Sequence, residues 1–361
     1  MPDKTTAEKL RSLFPQISPG TELREGLDRI LNGATGALIV LGHDEVVEDI
    51  CSGGFQLNVK YSPTRLRELA KMDGAIVCDR QAHHIIKAAV QLMPDANIET
   101  NESGTRHRTA QRVSRQTGYP VISVSKSMRT IGLYLDGARY VLNASDIVLA
   151  RGTQALATLE RYRTRLDQVT DSLSALEIED MVTVRDVTSA LQRQEMLRRI
   201  SQEIEDDVIE LGTDGRLLAL QHAELTTGLA QNSELVIRDY VSGVDPQTDL
   251  PLMLKMLSKL DDNALIADLT KISQIIGLGG DDESLDSPVH PAGYRLLAYM
   301  KKPVPPAIAD RLVAHFGSLQ NLMAATLEDL MEVEGVGEQR ARNVHDGLYK
   351  ISDASVLERF I

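Results

Sequence analysis

The chain of 361 residues has no tryptophan, four phenylalanines, two cysteines and no apolar run of membrane-spanning length. Each shortage excludes something. With aromatics at 4%, a platform that stacks successive bases of a single strand is not expected. Cys51 and Cys78 have no metal-type spacing and are too few to staple a small secreted scaffold, so a reducing compartment is expected. A membrane-spanning helix needs about 20 apolar residues in a row, which the sequence does not offer. Met1-Pro2-Asp3-Lys4 leads into a charged amphipathic segment rather than the apolar stretch of a signal peptide. The expected location is therefore the cytoplasm, with no membrane partner.

An excess of basic residues is also missing, since the net charge is −13. That seems to argue against a nucleic-acid partner until its distribution is considered. Residues 200–287 hold 18 Asp and Glu against 5 Lys and Arg, which accounts for the whole imbalance. The remainder is balanced, so the acidity belongs to the middle of the chain and leaves both ends open to polyanions.

What is present fits two or three soluble domains. Residues 5–32 show apolar residues at helical spacing, with Gly33 as a stop. Short apolar strands are expected over 37–41, 75–78 and 85–92, a helix from Pro63 to about residue 71, and a loop around Gly53-Gly54. A helix over 105–117 precedes three closely spaced strands at 121–124, 130–135 and 139–142, the last two joined at Asp136-Gly137. This pattern predicts an α/β domain, a mixed sheet flanked by helices. From Ser145 to about residue 231 the sequence is rich in Leu, Arg, Glu and Gln at helical spacing, broken near 212–215. It reads as an all-α spine or as an ordinary helical domain. Helical segments continue over 252–260 and 263–276, and 277–291 collects Gly, Asp, Ser and Pro as a linker. Short helices over 308–316, 319–324, 327–331 and 338–349 complete an all-α terminal unit. The expected domains are 1–144, 145–287 and 288–361.

Two short stretches in the first domain carry chemistry. Gly104-Thr105-Arg106-His107-Arg108-Thr109-Ala110 places three basic side chains in a first helical turn, against the positive end of the helix dipole. That costs stability unless an anion binds there. Thr105 is expected to cap the helix, Arg106 and Arg108 to offer forked donors to phosphate oxygens, and His107 a donor that depends on pH. The alternative is a solvated turn paired with carboxylates. Asp73-Gly74-Ala75 lies where a helix gives way to a strand. Its acid can hold a divalent metal or accept a hydroxyl proton, and its glycine lets a substrate approach the backbone; as a common Asp-Gly turn it needs neither role. In the terminal unit, Leu330, Val333, Gly335-Val336-Gly337, Ala341 and Val344 resemble a helix-hairpin-helix module. There a tight glycine turn can bring backbone N–H groups to a DNA phosphate, with Arg340 and Arg342 one turn on. A plain helical hairpin is the alternative.

Together, the two motifs in an N-terminal α/β domain, the spine and the hairpin unit resemble the DNA integrity scanning (DisA) family of bacterial diadenylate cyclases over essentially the whole chain. The resemblance implies condensation of two ATP to cyclic di-AMP and two pyrophosphates with Mg²⁺ or Mn²⁺. It also implies a homo-octamer and binding of branched DNA such as Holliday junctions, which would add nucleoid association to a cytoplasmic location. It assigns Asp73 to the 3′-hydroxyl and the metal, and Gly74 to close nucleotide approach. Thr105, Arg106, His107, Arg108 and Thr109 would hold the triphosphate, Arg106, His107 and Arg108 sharing in catalysis with Asp73. Leu92 would meet the adenine through its backbone, and Lys126 is a further phosphate candidate. Met93 stands where a polar residue is expected, so only a main-chain contact at Leu92 carries over. The competing functions are a DNA-structure-binding scaffold that holds nucleotide without turnover, and a different phosphoryl-transfer enzyme.

Overall fold

The computed structural model describes residues 4–357. Residues 1–3 and 358–361, the outer ends of the first and third expected domains, lie outside them. The chain divides into two compact units. One takes residues up to Leu156 together with Glu203–His222; the other takes Ala157–Gln202 and the residues from Ala223 on. Both long spine helices are thus shared between the units, because a helix that outruns one core finishes by packing on another.

The first unit opens with helices α1 (Lys4–Ile17) and α2 (Glu22–Asn32) where one helix was expected. Pro19 cannot donate to a continuing helix, Gly20 has φ +90°, and the Thr21 side chain caps α2 by accepting from the Arg24 N–H. There follow β1 (Ala37–Leu41), α3 (Glu45–Asp49), β2 (Cys51–Ser52), β3 (Phe55–Lys60), α4 (Pro63–Leu69), β4 (Ala75–Cys78) and β5 (His84–Leu92). Next come α5 (Thr105–Thr117), β6 (Val121–Ser125), β7 (Thr130–Leu135) and β8 (Ala138–Leu142). The strands form one sheet in the order β2-β5-β4-β1-β6-β7-β8, with β3 also on β5. Only β1 and β4 pair in parallel; the other pairs are antiparallel, so the sheet is mixed.

All five residues of β1 are buried because helices cover both faces of the sheet. Ile39, Leu41, Ile76 and Ile122 pack with Leu27 and Ile30 of α2 and Leu66 of α4. Leu38, Val40, Val77 and Val121 pack with Ala110 and Val113 of α5 and Val47 of α3. Each buried aliphatic side chain contributes roughly 1.5–3 kcal/mol. That double cover fixes the start of α5 over the ends of the central strands.

The spine consists of α6 (Ser145–Glu179) and α7 (Val184–Leu211), followed by a tight turn at Gly212–Gly215 and α8 (Arg216–Thr226). The break between α6 and α7 was not expected. Asp180 takes φ +57°, and the Thr183 N–H and hydroxyl both donate to Asp186, which starts the new helix. The second unit packs α9 (Leu229–Tyr240), α10 (Asp249–Leu257), α11 (Asp262–Ala267) and α12 (Leu269–Ile276) around Leu191, Ile237 and Ile272. The expected linker contains a short helix, α13 (Asp282–Leu285). It is followed by α14 (Tyr294–Tyr299), α15 (Pro306–Phe316), α16 (Leu319–Ala324), α17 (Leu327–Met331) and α18 (Glu338–Leu357). These close on Leu297, Leu312, Leu319, Leu330 and Val344.

This unit also buries charge. The Arg295 side chain is fully enclosed, with Nε 3.0 Å from Glu177 Oε1, while Asp239 accepts the backbone N–H groups of Gly293, Tyr294 and Arg295. Removing one partner of such a buried pair costs about 3–5 kcal/mol. Among the described residues no helix is long and apolar enough to cross a membrane.

Candidate functional site

A cavity of about 760 Å³ opens between the start of α5, the ends of β1, β4 and β5, and the turn after β6. Of the residues singled out from the sequence, Gly74, Leu92, Thr105, Arg106, His107, Thr109 and Lys126 line it. Two stretches thirty residues apart are thereby brought together with a strand end and a basic turn. Asp73 and Arg108 do not line it; both are exposed, one beside Gly74 and the other in the turn that carries Arg106. Gly104 and Ala75 of the same two motifs also line it, and Leu38, Val90, Gln91, Ser125 and Ser127, which were not anticipated, complete the wall. Their only signal is position, since each lies at or beside a strand end that faces α5.

The first turn of α5 departs from expectation in its cap. Gly104, not Thr105, is the N-cap, with φ +88°, and among the described residues no side chain caps the turn. Thr105 is already the first helical residue, so the capping position it was expected to fill belongs to Gly104. The Arg108 N–H reaches the Gly104 carbonyl at 3.1 Å. The N–H groups of Thr105, Arg106 and His107 therefore precede the helical ladder. Among the described residues no ion pair joins Arg106 or Arg108 to a carboxylate, and both side chains are exposed. The Arg106 guanidinium lies over Gly36, where a side chain would strike it: a Cβ there would come within 2.1 Å of Nη1.

His107 is half-buried, with Nδ1 2.9 Å from the Tyr134 hydroxyl and 3.5 Å from Ser123 Oγ. Burial, then the nearby Arg139, holds its pKa below the usual histidine value, so the ring is neutral near pH 7.

Gly74 has φ +109°, and a Cβ there would sit 2.6 Å from the Ala89 carbonyl carbon. The glycine is thus demanded by contact with β5 as well as by the cavity. Leu92 is buried at the end of β5, while Met93 is exposed and donates its N–H to the Ile50 carbonyl at 2.7 Å. Among the described residues no cluster of three or more His, Cys, Asp or Glu is arranged for a metal.

The second candidate site is the turn before α18. Gly335 has φ +86°, as a tight turn requires. Val336 corrects expectation: its side chain is buried in the core and its N–H donates to the Val333 carbonyl at 3.0 Å, so it offers nothing to a phosphate. Arg340 donates to the Gly335 carbonyl and Arg342 pairs with Glu338. Gly337 faces open space.

These placements agree with the similarities of the chain to known proteins. Residues 24–139 match the family described as DisA bacterial checkpoint controller nucleotide-binding, which covers the cavity. Residues 142–285 match the DisA bacterial checkpoint controller linker region, and residues 303–350 the helix-hairpin-helix motif. The chain is 56% identical to the DNA integrity scanning protein DisA of Kineococcus radiotolerans over 361 residues, covering 100% of both chains. It is 57% identical to that of Beutenbergia cavernae over 351 residues, covering 97% of each. To that of Acidothermus cellulolyticus it is 54% identical, covering 99% of this chain and 97% of the relative. With a nucleotide-binding domain, a helical linker region and a helix-hairpin-helix motif in that order, the chain belongs to the DisA family.

Proposed function

We propose that this chain is a diadenylate cyclase that joins two ATP molecules into cyclic di-AMP. The observation that carries the reading is the start of α5, a first turn with three basic side chains, no protein cap and no carboxylate partner, lining a cavity with Gly74 and Leu92. Such a turn is built for an anion, and the cavity has room for a nucleotide. Thr105, Arg106, His107 and Thr109 would hold the phosphates, while the end of β5 at Leu92 receives the base.

Each 3′-hydroxyl loses its proton and attacks the α-phosphorus of the other ATP. An O–P bond forms, the bond to the bridging β-phosphate oxygen breaks, and pyrophosphate leaves; two such events close the ring. One cavity holds one nucleotide, so two copies must face each other across a two-fold axis. The exposure of Asp73 and Arg108 beside the cavity supports such a shared site, with Asp73 serving the hydroxyl of its own nucleotide and the basic turns neutralising the phosphates. Asp73 would hold a Mg²⁺ or Mn²⁺ ion, which would supply positive charge at the reacting phosphate. A homo-octamer would satisfy the facing requirement.

We further propose that the helix-hairpin-helix unit binds branched DNA and lowers cyclisation. Incubation with ATP and Mn²⁺ followed by chromatography tests the main reading. Cyclic di-AMP is expected, whereas AMP or ADP alone would favour another phosphoryl-transfer enzyme, and bound but unchanged ATP a scaffold. Adding a four-way junction should slow the reaction; an unchanged rate would refute the coupling.

A further inference from the structure

Gly74 and Gly104 are fixed by backbones that a side chain would strain, but Gly36 is not. It lies half-buried in the loop just before β1 and is absent from the glycines with positive φ, so no left-handed backbone demands it. What stands in the way of a side chain is Arg106. A Cβ at position 36 would meet Nη1 at 2.1 Å, Cζ at 2.9 Å and Nη2 at 3.2 Å, so its three nearest atoms belong to one guanidinium.

This notch lies between the two flanks of the candidate site. Strand β1 runs between β4 and β6. Ala37 pairs with Val124, one residue before Ser125, and Ile39 pairs with Ile76, one residue after Ala75. Arg106 lines the cavity from α5, and the strand that follows Gly36 lines it through Leu38. Among the described residues no hydrogen bond or ion pair holds the Arg106 guanidinium, so its place is set by shape. A free arginine has many rotamers to lose when it meets a ligand, so a seat that narrows them favours binding. A carboxylate would also narrow them, but by taking the donors that phosphate oxygens need.

We propose that Gly36 is a positioning residue, whose missing side chain makes the notch that holds the Arg106 guanidinium at the cavity with its donors free. The inference rests on the reading of the cavity as a phosphate site. A methyl group at position 36 evicts the guanidinium, which ends a flexible side chain and swings aside at little cost to the fold. The loss then falls on the nucleotide rather than on stability.

The test is a double-mutant cycle in the full chain with Gly36→Ala, Arg106→Ala and the pair, read as affinity for a non-reactive ATP analogue and as kcat/KM for cyclic di-AMP. Gly36→Ala alone should weaken both by about 10-fold, the lower range for one charged hydrogen-bonding group. Its melting temperature should hold or rise, since alanine restricts the unfolded chain. In the Arg106→Ala background the methyl group has nothing to displace, so adding Gly36→Ala should change affinity by no more than about two-fold. Parental affinity and rate in Gly36→Ala, or an equal loss with and without Arg106, would overturn the proposal and leave the cavity a nucleotide site. A fall in melting that Arg106→Ala does not relieve would also overturn it, because the fold itself would then need the space. A parent that neither binds the analogue nor forms cyclic di-AMP would instead refute the phosphate reading, and the inference with it.

Discussion

The molecule has two glycine turns at helix starts that suit phosphate, and they are prepared differently. At Gly104 the basic side chains lack carboxylate partners and the turn lacks a protein cap, so its donors stand ready for a compact polyanion. At Gly335 the arginines and one amide already have partners: Arg340 on the turn's own carbonyl, Arg342 on Glu338, and the Val336 N–H on Val333. A small ligand must be gripped by all its charge at once, and that favours donors left unpaired in advance. A long polyanion makes many weak contacts, so each arginine can trade a local partner for a phosphate at little cost.

The sharpest way to break the comparison is at the acid beside the first turn. Asp73→Asn should lower cyclisation at least about 100-fold while an ATP analogue still binds, and persistent product would remove Asp73 from the chemistry. Arg106→Ala should weaken analogue binding by roughly 10- to 100-fold, the value of one charged hydrogen-bonding group. Arg108→Ala should weaken it less, and because both side chains are exposed, thermal melting should not move. At the second turn, Gly335→Ala should cost about 1–2 kcal/mol by denaturant unfolding, since φ +86° is strained for any side chain. Gly337→Ala meets open space and should leave stability the same or higher by up to about 1 kcal/mol. Both should reduce DNA binding and spare cyclisation; loss of cyclisation would make the hairpin a structural support instead. The smallest effect is expected for Arg342→Ala, within about 0.5 kcal/mol in stability because its ion pair is exposed. The slope of DNA affinity against salt should fall by about 1.

Much of this was legible in the sequence, wherever a local rule decides. The strands around Ile39, Ile76 and Leu133 follow from short apolar runs, and α5 occupies the helix expected over 105–117. What escaped was decided elsewhere in the chain. Strand β3 alternates Phe55, Leu57 and Val59 with polar residues, but Asn58 at φ +48° and a shift in register against β5 blur the pattern. No local pattern announces the burial of Arg295, which depends on the distant Glu177 and Ser174. Tyr134 could not be tied to His107, because its strand meets the start of α5 only once the chain is folded. The cap was misassigned for a local reason: a threonine at a helix start is a good acceptor, yet here glycine takes the non-helical position.

The open first turn of α5 has a further consequence. On the proposed reading a nucleotide would cap the three amides left outside the helical ladder, so that occupancy and local order would become one equilibrium. The amides of Thr105, Arg106 and His107 should exchange with solvent quickly in the free protein and slowly with an ATP analogue, while those deep in α5 change little. A helix end finished by its substrate reports, residue by residue, whether the site is full.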